Sequence, residues 1–230
     1  GQLLITTLTG RAFVAASAPG GAWQAGPGDL GRSHPFRAFG TLDPAGRRIA
    51  FVDGDTGSGE AGRLVTMTLD GGPGPSLQLD RAAESAPAWL PDGRLVVVVR
   101  SAFDQPRPIL ADPASGLSSS LTAAPLRSIA ISGQAVAIIT DGGALAVGSL
   151  VDWLAGRPAK EMPSSGAADS TEVLQALASS DGLELALVIA DASGDAVEIR
   201  IVSPDGGREI ARFVLPRGAN RAIVGWLGAP

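Results

Sequence analysis

The chain has 230 residues, 45% of them apolar, with 31 Gly, 17 Pro and a formal net charge of −5. That size and apolar content suit a folded core rather than disorder, and an acidic balance without a basic patch argues against a nucleic-acid surface. With no Cys, a single His and no run of 18 apolar residues, disulfides, thiolate or multi-His metal sites and a membrane-spanning helix are all excluded.

The chain opens on "QLLITT" directly after Gly1, with no basic and apolar leader. This reads as a chain trimmed inside a strand, with an upstream signal or anchor removed. "GRAFVAASAPGG" (10–21) and "AWQAG" (22–26) follow as two further strands, and then the loop "GDLGRSHPF" (28–36).

From there the sequence repeats itself. "AFGTLDPAGRRIAFVDG" (38–54), "APAWLPDGRLVVVVRS" (86–101), "RSIAISGQAVAIITDG" (127–142) and "LQALASSDGLELALVIAD" (174–191) are four copies of one hairpin. Their turn glycines Gly46, Gly93, Gly133 and Gly182 are spaced by 47, 40 and 49 residues (46 to 93, 93 to 133, 133 to 182). A period in the forties is that of a four-stranded propeller blade.

Each copy continues into a third strand, as in "GRLVTMTLDGG" (62–72) and "AVEIRIVSPDGG" (196–207). A weaker fourth follows, as in "PSLQLD" (75–80), "LSSSLT" (117–122) and "REIARFVL" (208–215). Asp-Gly, Asp-Pro and Gly-Gly stand where hairpin turns need them. The segment "SLVDWLAGRP" (149–158) reads as an insertion holding a helical turn.

The C-terminal "RAIVGWLGAP" (221–230) repeats the strand around Trp89 and then stops, so the first three strands complete its unit. The predicted fold is all-β: a single five-bladed β-propeller over 1–230, closed by N- and C-terminal strands sharing one blade. The blades are expected at about 36–80, 81–124, 125–168 and 169–216, with 217–230 joined to 1–26. Two alternatives compete. One is a pair of β-sandwich domains, disfavoured by the period and the split ends. The other is a mixed fold with a helix over "DSTEVLQALASS" (169–180), disfavoured because that segment falls in the register of an innermost strand.

The phrase "APAWLPDGRLVVVV" resembles the blade signature of TolB-like, or WD-repeat-like, propellers, in which a Trp-Ser-Pro-Asp-Gly turn joins the two inner strands. "TLDPAGRRIAFV" and "ASSDGLELALVI" are degraded forms of it. The resemblance implies an interaction platform rather than a fixed chemistry, and an extracytoplasmic setting in the periplasm, at the cell surface or secreted.

Candidate site residues are few. His34 lies with Arg32 in the loop before the first full unit, next to Arg37, where a propeller loop lines one face. The ordinary reading is a loop His with a local hydrogen bond; the functional reading is a contact in a face pocket. Arg37, Arg127 and Arg221 each open an innermost segment and would set three guanidiniums around the channel mouth, suited to an anion or carboxylate. Glu172 is the acid within these segments, and Glu84 just precedes one, a thin set for a two-carboxylate hydrolase. Loop acids Asp53, Asp104, Asp141, Asp191 and Asp195 suggest an anionic ring or simply turn chemistry. The loop "DGDTGSGE" (53–60) fails the EF-hand pattern at Gly57 and Ser58.

Trp89 and Trp226 share a repeat position and are expected to pack between neighbouring blades, whereas Trp153 in the insertion is expected to be exposed. The reading is a non-catalytic, monomeric binding module for a protein or small anionic partner, with no cofactor and no metal. The alternative is a funnel-site hydrolase or lyase using Glu172, Glu84 and loop acids.

Overall fold

Five apolar residues in succession, Leu95–Val99, stand where an amphipathic strand would alternate. A strand has two faces, so an unbroken apolar run means that both are covered. The computed structural model shows this directly. It describes residues 2–7, 12–17, 23–26, 41–45, 47–53, 61–68, 72–100, 105–162, 172–179, 184–190, 196–203, 208–214 and 221–227.

The chain folds into antiparallel sheets taken in order. The first three strands are β1 (Gln2–Thr7), β2 (Ala12–Ser17) and β3 (Trp23–Gly26). The next sheet runs β4 (Thr41–Leu42), β5 (Arg48–Asp53), β6 (Arg63–Thr68) and β7 (Pro73–Gln78). In the following sheet the innermost position is held by two short strands, β8 (Ala82–Ala83) and β9 (Ala88–Trp89). Both pair with β10 (Leu95–Arg100), and β11 (Arg107–Asp112) and β12 (Leu117–Ser120) lie outside it.

Next comes β13 (Leu126–Ser132), β14 (Ala135–Thr140), β15 (Leu145–Ser149), helix α1 (Leu150–Leu154) and β16 (Lys160–Glu161). Then follow β17 (Glu172–Ala178), β18 (Leu185–Ala190), β19 (Ala196–Val202) and β20 (Glu209–Val214). Four sheets are thus each built from one stretch of chain. In a further sheet the last strand, β21 (Arg221–Leu227), pairs with β1 in the order β21-β1-β2-β3. Innermost strands touch from sheet to sheet: β4 with β9, β9 with β13, β13 with β17, β17 with β21, and β21 with β4. The architecture is an all-β propeller.

The core lies between sheets. From β10, Leu95, Val97 and Val99 pack with Ala50, Val52 and Leu64 of the preceding sheet, while Val96 and Val98 pack with Ile129, Val136 and Ile138 of the next. In the same way Leu185, Leu187 and Ile189 of β18 meet Ala137 and Leu145, and Ala186 and Val188 face the opposite side. Burial fades outward. The outermost strand β12, Leu117 followed by three Ser, is exposed throughout, and β16 is Lys-Glu, so polar edges blunt strand addition.

Trp89 locks two sheets together. Its indole N–H donates to the Thr41 carbonyl at 3.0 Å, and the Thr41 hydroxyl donates back to the Pro87 carbonyl. The Arg48 guanidinium lies 4.7 Å from the Trp89 ring centroid and is held there by Asp43, whose Oδ2 accepts from Arg48 Nε at 3.0 Å. The turn after Trp89 closes as its residues demand. Leu90 N–H donates to the Arg94 carbonyl at 2.8 Å, Asp92 Oδ1 accepts from Arg94 N–H at 3.0 Å, and Gly93 takes φ 88°. Gly133 also has positive φ, whereas Gly46 and Gly182 lie outside the described residues.

Two local expectations resolve here. The segment weighed as a helix is strand β17 from Glu172, because pairing with β18 outweighs the helical leaning of Leu, Gln and Ala. The insertion does form a helical turn, α1, but Trp153 is buried, not exposed. With Leu150 it faces the core between the β10 and β14 sheets, so the insertion caps that core.

Candidate functional site

Register places the starts of the innermost strands at one end of the sheets. Ala82 opposes Arg100, Leu126 opposes Thr140, Glu172 opposes Ala190, and Arg221 opposes Thr7. The second strands therefore end, and the third begin, on this same face. Arg127, Glu172 and Arg221 all sit within the first two positions of an innermost strand here. For Glu172 and Arg221 the backbone position is described and the side chain is not; Arg32, His34 and Arg37 lie outside the described residues.

Each of these strands is irregular, near its start in β13 and β17 and midway along β21. The register slips between Leu126 and Ser128, leaving Arg127 unmatched, and between Val173 and Gln175, leaving Leu174 unmatched. Opposite Leu4 and Ile5 it slips between Gly225 and Ile223, leaving Val224. Between β8 and β9 the strand breaks altogether, with Glu84 N–H donating to the Val98 carbonyl at 2.9 Å. A bulge re-aims the extra residue out of the ladder. Accordingly Arg127 is exposed between buried Leu126 and Ser128, and Leu174 is an exposed large apolar residue.

Charges on this face are paired unevenly. Arg127 Nε stands 3.9 Å from Asp141 Oδ1, a loose contact between half-exposed side chains. Arg100 Nε approaches Glu84 Oε1 at 2.9 Å, but off the hydrogen-bonding line, so among the described residues this buried donor has an ion-pair contact and no hydrogen bond. Arg127 thus places an exposed guanidinium on this face beside Asp141, while Arg100 sits against Glu84. Arg100 and Leu174 escape sequence reasoning. Arg100 reads as the solvated end of an apolar run, and Leu174 as one more core Leu, because a bulge leaves no residue signature of its own.

The carboxyls with displaced pKa lie elsewhere. A hydrogen bond from the Arg94 side chain holds Asp92 below the usual carboxylate range, the Ser115 hydroxyl does the same for Asp112, and the Arg212 side chain for Glu209. Asp92 and Asp112 are turn residues at the far ends of their strands. Glu209 belongs to a four-charge network on the β19–β20 pair, in which buried Glu198 bridges Arg200 and Arg212. Among the described residues no group of three or more His, Cys, Asp or Glu is placed to hold a metal ion, and no helix is long and apolar enough to cross a membrane.

No protein-family model and no curated protein matches the sequence. Solved structures do match in shape. TolB from Acinetobacter baumannii aligns with a TM-score of 0.53 at 14% identity over 98% of this chain and 66% of that one. A TolB homologue from Agrobacterium tumefaciens aligns at 0.52 and 13% identity, over 93% of this chain and 89% of that one. A puromycin-hydrolyzing peptidase of Mycobacterium tuberculosis aligns at 0.51 and 15% identity, over 90% of this chain and only 35% of that one. The chain therefore spans a third to two thirds of several of these proteins, and at such identities the likeness concerns fold. Blade repeat, sheet topology and structural neighbours agree: this chain is a β-propeller with the TolB-like fold.

Proposed function

We propose that the chain is a single five-bladed propeller domain over 1–230, with β21 completing the blade of β1–β3, and that it is a non-catalytic, monomeric binding module. The working face is the one on which the innermost strands begin, and the partner is a protein segment or small molecule bearing a carboxylate or other anion. The observation that carries this reading is Arg127. A bulge turns it out of the innermost strand of its sheet and leaves it exposed beside Asp141. A guanidinium so placed recognises oxyanions by paired hydrogen bonds. Arg221, at the start of its own innermost strand, and Arg32, His34 and Arg37, in the segment before β4, are proposed to contribute. Glu172 would fix the orientation of a ligand carrying a donor. The resemblance to TolB-like propellers favours an extracytoplasmic setting.

The funnel-hydrolase alternative has less behind it. Such chemistry needs a carboxyl held above its ordinary pKa, and the displaced carboxyls described here, Asp92, Asp112 and Glu209, are all displaced downward.

Titration with succinate and inorganic phosphate, followed by NMR, tests the reading. Arg127→Ala and Arg221→Ala are each expected to weaken binding about fivefold, the scale of an exposed charge pair, with an unchanged melting temperature. Binding indifferent to both substitutions, or absent in the parent chain, would overturn it.

A further inference from the structure

A cavity of about 240 Å³ opens where the link from β12 to β13 passes α1 and β16. Leu126 and Thr140, which mark the face described above, are among its walls, but Arg127 is not. Pro125, Ile138, Ala146 and the buried Trp153 make the walls apolar, and the polar groups at its margin are Thr140, Arg157 and Glu161. Two of these three are already engaged. The Thr140 hydroxyl oxygen accepts from Ala144 N–H at 3.1 Å. Arg157 Nε donates to Asp152 Oδ1 at 3.0 Å, and a second guanidinium nitrogen reaches the same oxygen.

Glu161 is different: among the described residues its carboxylate has no ion-pair or hydrogen-bond partner. Its orientation follows from the sheet. In β16 it lies directly opposite Ala146, itself a cavity wall, so the two share a face, whereas Lys160 opposes Val147 and points the other way. The cavity thus carries one unanswered negative charge on an otherwise apolar lining. Its size exceeds the roughly 150 Å³ that takes up benzene and falls short of the roughly 300 Å³ at which drug-sized pockets begin.

We propose that this cavity binds a small apolar organic cation, an amine carrying an aryl or short alkyl group. The hydrocarbon part lies against Trp153 and Ile138, and the ammonium meets Glu161. An anion is repelled by Glu161, and a neutral ligand forms no ion pair with it.

The test compares benzylammonium with the neutral benzyl alcohol, by ligand-observed NMR and by the fluorescence change that disappears in Trp153→Phe. Benzylammonium is expected to bind about fivefold more tightly, as an exposed ion pair allows, and Glu161→Gln is expected to erase that difference without lowering the melting temperature. Ala124→Phe, which adds bulk at an exposed position on the cavity rim, is expected to weaken both ligands. Equal binding of the two ligands, an unchanged preference in Glu161→Gln, or no saturable binding of benzylammonium at millimolar concentration would each overturn the proposal.

Discussion

At the scale of residues, Trp89 shows how a repeat motif becomes stability. Its ring fills the space between two sheets, its N–H satisfies a neighbouring carbonyl, and its face receives Arg48. Trp89→Ala is expected to destabilise the fold by about 3–5 kcal/mol through the cavity it leaves. Trp89→Phe keeps much of the packing but strands the Thr41 carbonyl, and should cost about 1–3 kcal/mol; urea denaturation of the two variants separates the contributions. Gly93 illustrates backbone demand. An added Cβ there meets nothing closer than 3.7 Å, yet φ is +88°, so Gly93→Ala is expected to cost about 1–2 kcal/mol from conformation alone.

The turn and edge carboxyls set the response to acid. Asp92, Asp112 and Glu209 all have folded pKa values below their ordinary ones. A lowered folded pKa means that the native state holds the proton less tightly than the unfolded chain. The stabilisation is therefore complete above the ordinary carboxylate range and is lost as pH falls through the folded values. Unfolding free energy measured against pH should be flat near neutrality and fall below about pH 4. Asp92→Asn should make that fall shallower; a profile unchanged by the substitution would contradict the role given to Arg94.

At the scale of elements, position within a blade decides what a side chain is worth. Leu95 in β10 and Leu187 in β18 are fully buried in inter-sheet cores, whereas Leu117 on outermost β12 is 68% exposed. Leu95→Ala and Leu187→Ala should each cost about 2–5 kcal/mol, against less than about 0.5 kcal/mol for Leu117→Ala. Chemical denaturation distinguishes these outcomes directly.

The same gradient explains what was readable in advance. Strands such as β10, β14 and β18 announce themselves because two-sided burial needs an unbroken apolar run, and turns such as Pro91-Asp92-Gly93 because positive φ selects Gly. The burial of Trp153 was not readable: a five-residue helix has too short a pattern to show which face meets a core. The bulge at Arg127 was equally hidden, since a register slip depends on the partner strand. The expectation that Arg127 opens an innermost strand needed only the repeat. Its outward aim needed coordinates, and so did the cavity beside Glu161, whose walls come from separate segments between Ala123 and Glu161 that only the folded sheet and α1 bring together.

At the scale of the molecule, the account rests on the two ends of the chain sharing one sheet. An open stack of blades leaves two innermost strands without neighbours, while pairing β21 with β1 lets β21 meet β4 on one side and β17 on the other. A chain without Cys offers a clean probe, because any introduced pair is the only one present. Thr6 and Ala222 face each other across the β1–β21 ladder, and directly opposed strand residues lie within about 4.5–5.5 Å, inside disulfide range. The double variant Thr6→Cys, Ala222→Cys should oxidise to an intramolecular bond found by mass spectrometry. That bond should raise the melting temperature by roughly 5–10 °C, as expected for a cross-link closing nearly the whole chain. A pair that stays reduced under the same oxidant, or links only between molecules, would contradict the proposed closed five-bladed ring.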